Sequence, residues 1–168
     1  MIGKRSNTMP EIIGANTFVT IEGMSDIPAK IDTGADSSSV NVTNIEMSPE
    51  GVLSFNLIDG KGKRITARTY HVAVVRSSTG EEQTRYRVPL FLEIGSHKIR
   101  TTFSLSDRSK NNFPVLIGRK TIKGKFLVDV SKKEIEVQKN PKTKKLNQEL
   151  ENNPVKFHEK YIEKTLKK

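Results

Sequence analysis

Apolar and polar residues alternate with a period near two through most of residues 12–130, and this pattern restricts the chain mainly to β-structure. Turns that contain glycine divide the alternation into short segments, which is typical of a domain built from many strands. The segments that we predict as strands are Thr17–Glu22, Ile27–Asp32, Val52–Ile58, Arg64–Val75, Thr84–Ile94, Lys98–Leu105 and Phe126–Val130. Because a small β domain must close or pair its edges, we expect a partly open barrel with one short helix at 119–123.

The character of the chain changes after Val130. Residues 132–168 are rich in lysine and contain Pro141 and Pro154, and from Val155 onward apolar side chains recur at helical spacing. A short amphipathic helix packed on the barrel and a mostly solvated tail are both compatible with this pattern. We therefore predict three segments: an N-terminal segment at 1–11, a β domain at 12–132, and a basic extension at 133–168 that is partly helical or disordered.

Composition excludes several protein classes. The 168 residues include no cysteine, so disulfide scaffolds and thiolate metal sites are absent. The first residues do not resemble a signal peptide, and the longest apolar runs are too short to cross a bilayer. We therefore expect a soluble cytoplasmic protein that has no membrane partner.

The net charge of +10 raises the question of nucleic-acid binding. Residues 1–131 hold 18 Lys and Arg against 13 Asp and Glu, a net charge of +5, and the much shorter remainder also carries +5. In the first part the basic residues alternate along predicted strands, as on a solvated sheet face. There is no tryptophan, and no basic patch is interleaved with aromatic residues that could stack on bases. The pattern does not favour nucleic-acid binding.

The triplet Asp32-Thr33-Gly34 occurs once in the chain, after the apolar lead Ala29-Lys30-Ile31. Alone it is ordinary turn chemistry, because Asp accepts hydrogen bonds from the following backbone and Gly permits a sharp turn. It is also the signature of an aspartic protease, in which two carboxylates about 3 Å apart share one proton. One carboxylate then acts as base on a water while the other acts as acid. A chain with one triplet needs a second copy of itself for this chemistry.

A second element downstream favours the protease interpretation. Pro114–Gly118 is an apolar strand that runs into Arg119. Together the triplet and this strand resemble the pattern of retropepsins, in which an apolar strand ending in Gly-Arg passes beneath the catalytic loop. In that pattern the acidic residue four positions after the catalytic Asp pairs with the Arg, and the corresponding residues here are Asp36 and Arg119.

The resemblance is closer still to a bacterial and phage branch of this fold that is often labelled an ATP-dependent zinc protease. The residues that carry it are Ile13-Gly14, Ile27–Ala35, Asp107-Arg108-Ser109, Phe113–Arg119 and Phe126–Val130. The resemblance implies a closed barrel-like all-β fold and an aspartic endopeptidase that acts on peptides as a homodimer. Most relatives carry Arg-Thr after Asp-Thr-Gly-Ala, whereas this chain has Asp36-Ser37.

The resemblance also implies roles for individual residues. Asp32 would be catalytic in a loop completed by Thr33, Gly34 and Ala35, and the Thr33 hydroxyl would bond to backbone of the partner copy. Support for the loop and a subsite would come from Asp36, Gly118 and Arg119. A hairpin flap would cover the cleft, and we place its tip at Ser78, Thr79 and Gly80. The turn at 59–62 is an equally good hairpin and stays open as an alternative.

Neither zinc nor ATP has a motif in this sequence. The three histidines are His71, His97 and His158, and none belongs to a metalloprotease motif, so we interpret them as strand-surface or tail residues. No Gly-x-x-x-x-Gly-Lys-Ser/Thr loop is present, and we expect no cofactor. Relatives often lie beside ATP-grasp ligases that add glutamate to proteins. A catalytically weak peptide-binding or regulatory dimer linked to such a system is therefore the alternative function.

Overall fold

The computed structural model describes residues 9–58, 62–76, 80–137 and 140–163. It divides into two units, residues 1–135 and residues 136–168, which are described separately here. The strands described in the first unit are β1 Glu11–Gly14, β2 Asn16–Ile21, β3 Met24–Ile31, β4 Ser38–Met47, β5 Leu53–Leu57, β6 Arg64–Ala67, β7 His71–Arg76, β8 Glu82–Ile94, β9 His97–Ser106, β10 Val115–Ile117 and β11 Phe126–Asp129. A short helix, α1 Arg119–Ile122, lies between the last two strands.

Six of these strands close into a barrel. The order of hydrogen-bonded neighbours is β10, β3, β2, β8, β9 and β4, and β4 pairs back with β10. The connection between β10 and β3 is parallel, which brings Ile117 opposite Ile31 and thus beside Asp32. The all-β closed barrel implied by the resemblance is confirmed, and the partly open barrel expected from the alternation alone is replaced by full closure.

The interior of the barrel is filled by alternate residues of its strands. On β8 and β9 the inward residues include Leu90, Leu92 and Phe103, each at most 2% exposed. Their partners across the ladder continue the same layer, with Val88 opposite Phe103. Burying such side chains contributes about 1.5–3 kcal/mol each, which explains why the alternation in the sequence determines the register.

A clasp at Asn16 holds the segment that follows β11. The buried Asn16 side chain donates to the Ile135 carbonyl at 2.9 Å and accepts from the Glu134 and Ile135 amides, each at 2.9 Å. The preceding residue also contributes, because the Ala15 amide donates to the Lys132 carbonyl at 2.8 Å and the Ala15 carbonyl accepts from the Ile31 amide at 3.0 Å. The end of the β unit is thereby joined to the strand that leads into the triplet.

Two strands were not predicted from the alternation, and one predicted strand is divided. The alternation of β4 breaks after Thr43, where Asn44 has a φ of +52° and the register with β5 shifts between Thr43 and Glu46. β1 is only four residues long and pairs with β11 in a separate two-stranded parallel sheet. The predicted strand at 64–75 is interrupted at residues 68–70, and its two parts pair with different neighbours, β5 and β8.

The second unit is helical. α2 spans Pro141–Asn152, α3 spans Pro154–Phe157, and a π-helical turn follows at His158–Ile162. The side chains of Asn140 and Asn153 cap the two α-helices by accepting hydrogen bonds from backbone amides. Helical structure therefore begins well before Val155. Among the described residues, no helix is long and apolar enough to span a membrane.

Candidate active site

Asp32 follows directly after β3, where its backbone is fixed by neighbouring strands. Its amide donates to the Ile117 carbonyl of β10 at 2.9 Å. The loop then turns back on itself, because the Ala35 amide donates to the Asp32 carbonyl at 3.2 Å. The aspartate thus sits at a strand end whose position is set by the barrel, which is the arrangement that a precisely placed carboxylate requires.

The Asp32 carboxylate is oriented by its own loop. Oδ1 accepts hydrogen bonds from the Gly34 amide at 3.1 Å and from the Ala35 amide at 3.2 Å. Oδ2 makes no hydrogen bond to any residue that the structure describes, so it is available to a water or a second carboxylate. Gly34 does not adopt a left-handed conformation, and a Cβ there would lie 3.3 Å from Oδ1. The glycine therefore serves close approach to the carboxylate.

Gly118 and Arg119 contact the loop that contains the triplet, residues 32–37. A Cβ at Gly118 would lie 2.5 Å from the Ser37 carbonyl carbon, so only glycine allows the two backbones to approach this closely. The Arg119 guanidinium donates to the Thr33 carbonyl at 3.1 Å and to the Gly34 carbonyl at 2.8 Å. The arginine side chain therefore supports the loop mainly by binding backbone carbonyls of the loop.

Asp36 has two basic neighbours, and the nearer one is not Arg119. Its Oδ2 lies 2.7 Å from the Lys120 Nζ, whereas Oδ1 lies 3.8 Å from the Arg119 Nη2. The Lys120 hydrogen bond is the main cause that lowers the pKa of Asp36, and the charges of Lys120, Arg119 and Arg87 act in the same direction. The structure brings the predicted pair together, but it adds Lys120 as the closer partner.

Thr33 is exposed at the surface of the loop. Its hydroxyl makes no hydrogen bond to the part of this chain that the structure describes. An open cavity of about 520 Å³ lies beside it, and its lining residues are Thr33, Asp36, Arg119, Lys120, Ile122 and Lys123. The bond from the threonine to a partner copy stays a prediction.

The predicted flap corresponds to the hairpin of β7 and β8. The two strands pair from His71 opposite Arg87 to Arg76 opposite Glu82. Ser78 and Thr79 lie outside the described residues, and Gly80 has a φ of +88° with open space around it. The alternative hairpin joins β5 and β6, and residues 59–61 at its turn are likewise outside the described part of the chain.

Three arginines near the triplet were not singled out from the sequence. Arg85 and Arg87 are two residues apart on β8 and therefore share one face of the hairpin. Arg108, which follows β9, is half-buried. Its backbone amide donates to the Asn41 Oδ1 at 2.6 Å and its Nε to the Phe113 carbonyl at 3.1 Å.

Two of these arginines, Arg87 and Arg108, interact electrostatically with carboxylates of the triplet loop. Burial lowers the pKa of Arg108, the positive charge of Arg85 acts in the same direction, and the negative charge of Asp32 opposes both. Arg87 adds positive charge near Asp36, and its Nε is buried without a hydrogen-bond partner in the described structure. The sequence signal that was available is the Arg-x-Arg spacing on a strand, which we had interpreted as a solvated face.

The histidines belong to elements other than the loop that contains the triplet. His71 is on β7, His97 begins β9 and lies 3.1 Å from Glu11, and His158 belongs to the second unit. Among the described residues, no three His, Cys, Asp or Glu side chains lie together in a way that could hold a metal ion. The donor set of this chain thus gives no support to the zinc in the family label.

Comparison with known proteins identifies the family. A family model described as "RimB-like: Retropepsin-like aspartic endopeptidase RimB" matches residues 12–139. The chain belongs to this family. The matched range begins in β1 and ends after the Asn16 clasp, so it includes the whole barrel and both halves of the catalytic-loop arrangement. The resemblance to retropepsin-like aspartic proteases that the two motifs predicted is confirmed.

Individual relatives carry different names. The chain is 29% identical over 130 residues to a "Probable alpha-L-glutamate ligase" of Shewanella halifaxensis, and 23% identical over 129 residues to a protein of the same name from Desulfotalea psychrophila. The matched region covers 71% of this chain but only 28% of the length of each of these relatives. A solved structure from Legionella pneumophila, Lpg0085, of unknown function (DUF785), is 25% identical with a TM-score of 0.59. The match covers 74% of this chain and 96% of that one.

Proposed function

We propose that this chain is an aspartic endopeptidase that acts as a homodimer. The observation that carries the proposal is the Asp32 carboxylate, which is oriented through one oxygen by the Gly34 and Ala35 amides. Its other oxygen is left without a partner among the described residues. The chain contains one such triplet, so the second carboxylate would come from a symmetry-related copy. Membership of a family of aspartic endopeptidases supports this assignment.

The reaction follows from two carboxylates in one site. The pair holds one proton, since two adjacent carboxylates do not both ionise easily. The ionised Asp32 takes a proton from a water, whose oxygen attacks the peptide carbonyl carbon. The protonated partner gives its proton to the carbonyl oxygen, and the resulting diol collapses with the proton passing to the leaving amine. The titration of this pair belongs to both carboxylates together.

The direct test replaces the carboxylate by an amide. Asp32→Asn is expected to lower kcat by at least about 10³-fold, because the amide cannot act as general acid or base. Asp26→Asn is the matched control, since Asp26 lies on β3, the strand that leads into Asp32, and is an exposed residue hydrogen-bonded to Ser25. Peptide cleavage by Asp32→Asn at the rate of the parent would exclude this mechanism.

Dimerisation is tested by dilution. A shared site predicts that activity per subunit falls as the protein concentration drops below the dimer dissociation constant. Sedimentation or light scattering at the same concentrations should show the dimer disappearing over the same range. Activity that belongs to a demonstrated monomer would contradict a shared site.

For the substrate, we propose a peptide segment rich in carboxylates. Arg108 places positive charge near Asp32 and Arg87 near Asp36, and Arg85 adds positive charge near Arg108. The Arg87 Nε is buried without a partner among the described residues. Arginine side chains recognise carboxylates through charge-assisted hydrogen bonds. The match to proteins named as probable alpha-L-glutamate ligases makes a glutamyl segment the first candidate.

A pair of matched peptides tests this substrate class. Arg108→Gln is expected to lower kcat/KM on a glutamate-containing peptide by about 10-fold, because a charged hydrogen bond is lost. The same peptide with glutamine in place of glutamate should be cleaved slowly by both proteins. Arg100→Gln, at an exposed position on β9, is the control for loss of one positive charge. Equal cleavage of both peptides by the parent would contradict acidic specificity.

The second candidate function is a peptide-binding or regulatory dimer linked to an ATP-grasp protein-modification system. The names of the matched ligases favour it, and the departure at Asp36-Ser37 is consistent with altered activity. Binding of a pepstatin-type inhibitor without turnover of any peptide would support this function over catalysis. Turnover that disappears in Asp32→Asn would exclude it.

A further inference from the structure

A chain of buried hydroxyl groups lies beneath the catalytic loop. Ser38 and Thr121, each 1% exposed, have their hydroxyl oxygens 2.8 Å apart. Thr121 continues the chain to the Thr101 hydroxyl of β9 at 2.9 Å. Three elements that are distant in sequence, β4, α1 and β9, are thus joined by polar contacts in the interior.

The network is connected to the loop through Gly118. The Gly118 amide donates to the Ser38 Oγ at 3.1 Å, and the Gly118 carbonyl accepts from the Thr121 amide at 3.1 Å. Gly118 is therefore held from both sides by residues of this network. The next residue, Arg119, donates to the carbonyls of Thr33 and Gly34.

The three hydroxyl groups of this network depend on one another for hydrogen bonds. A hydroxyl group can donate one hydrogen bond and accept two, so Ser38 can accept from the Gly118 amide and also bond to Thr121, which in turn bonds to Thr101. Removal of the Thr121 hydroxyl would leave the buried Ser38 hydroxyl without its side-chain partner, and the surrounding backbone would shift to relieve it. A shift at Gly118 would be felt by the loop because its backbone already lies against Ser37.

We propose that Thr121 is a positioning residue for the reaction of Asp32, acting through Ser38 and Gly118 on the backbone of the catalytic loop. This inference rests on the proposed endopeptidase function. The hydroxyl lies in the interior and touches neither the substrate nor the carboxylate. Its contribution should therefore appear in kcat, which depends on the geometry of Asp32, and hardly in KM, which depends on substrate contacts.

Thr121→Val tests this role, because valine keeps the shape of threonine and removes the hydroxyl. We expect kcat per folded dimer to fall by about 10-fold, with KM unchanged within about 2-fold. Thr121→Ser, which restores the hydroxyl, should recover most of kcat. Thr101→Val removes only the distal contact and should have a smaller effect of about 3-fold.

The matched control is Thr43→Val, since the Thr43 hydroxyl is buried without a hydrogen-bond partner in the described structure. Unchanged kcat in Thr121→Val, or equal losses in Thr121→Ser and Thr121→Val, would overturn the proposal. Amide hydrogen exchange at Gly34, Ala35 and Gly118 gives a readout that needs no activity. It should accelerate about 10-fold in Thr121→Val and remain at the parent rate in Thr43→Val.

The two measurements separate failure of this inference from failure of the proposed function. A parent protein that cleaves no peptide, with exchange that accelerates only in Thr121→Val, would disprove the endopeptidase while showing that Thr121 holds the backbone of the loop in place. An active parent with identical exchange in both variants would retain the endopeptidase and disprove the role of Thr121.

Discussion

The triplet loop, residues 32–37, and the β7–β8 hairpin are stabilised in different ways. The loop is short and is held from several sides: by β10 at Asp32, by Arg119 at two carbonyls, and by contact between Ser37 and Gly118. In the hairpin, β7 pairs with one strand among the described residues, and its Val72 and Val74 are 59% and 64% exposed. The geometry of Asp32 is therefore determined by tertiary contacts, whereas the hairpin depends on the backbone hydrogen bonds between its own two strands.

We expect the largest effect from a substitution at Gly118, where the loop is most crowded. Gly118→Ala places a Cβ 2.5 Å from the backbone of Ser37, and backbone cannot swing away as a flexible side chain can. We expect a loss of about 3 kcal/mol in the free energy of unfolding together with loss of activity. Urea unfolding and peptide cleavage measure the two effects, and unfolding at the parent midpoint would contradict the packing described here.

A glycine in the hairpin provides the comparison. Gly80→Ala meets no atom within 4 Å, so its cost arises only from the φ of +88° that alanine adopts reluctantly. We expect about 1 kcal/mol, from the steric cost of a left-handed residue. The same unfolding experiment measures it. A loss as large as that of Gly118→Ala would mean that the hairpin is as constrained as the loop.

The smallest effect concerns the charge contacts of the loop and their dependence on pH. The Lys120 hydrogen bond lowers the pKa of Asp36, so Asp36 contributes stability above its ordinary value near 3.8, and this contribution is lost as the pH falls through the lowered pKa. Since Asp36 is exposed, we expect only a small difference in Tm between the parent and Asp36→Asn at neutral pH. The two Tm values should converge as the pH falls below 4, and a difference that persists at pH 2 would contradict the linkage.

The sequence predicts the features of this molecule that depend on a local pattern of residue types, such as alternation along a strand or a short motif. The alternation identified the barrel strands that are buried on one face. The two motifs at Asp32 and Gly118-Arg119 predicted that distant parts of the chain meet, and Arg119 does donate a hydrogen bond to the carbonyl of Thr33, 86 positions away. Gly118 was identified through the resemblance to the retropepsin pattern, and the structure shows that its close approach to the Ser37 backbone requires glycine.

The remaining features depend on tertiary structure, which has no local signature. β4 was not predicted because an irregularity between Thr43 and Glu46 interrupts its alternation. Arg119 and Lys120 are neighbours in the first turn of α1, and both side chains reach Asp36, with Lys120 as the nearer of the two. Arg85 and Arg108 come from two separate segments, and only the fold brings them close enough for the charge of Arg85 to affect the pKa of Arg108.

The Asn16 clasp also determines where the length of the chain can change. Between Asp129 and Ile135 the path is fixed at both ends, because the Asp129 side chain accepts from the Ser131 amide at 3.0 Å and Asn16 binds residues 134 and 135. A single insertion or deletion in this interval would carry Ile135 out of register with Asn16 and leave buried amide groups unpaired. Beyond residue 135 the clasp imposes no such count, so added or lost residues there would leave the strand that leads into Asp32 undisturbed.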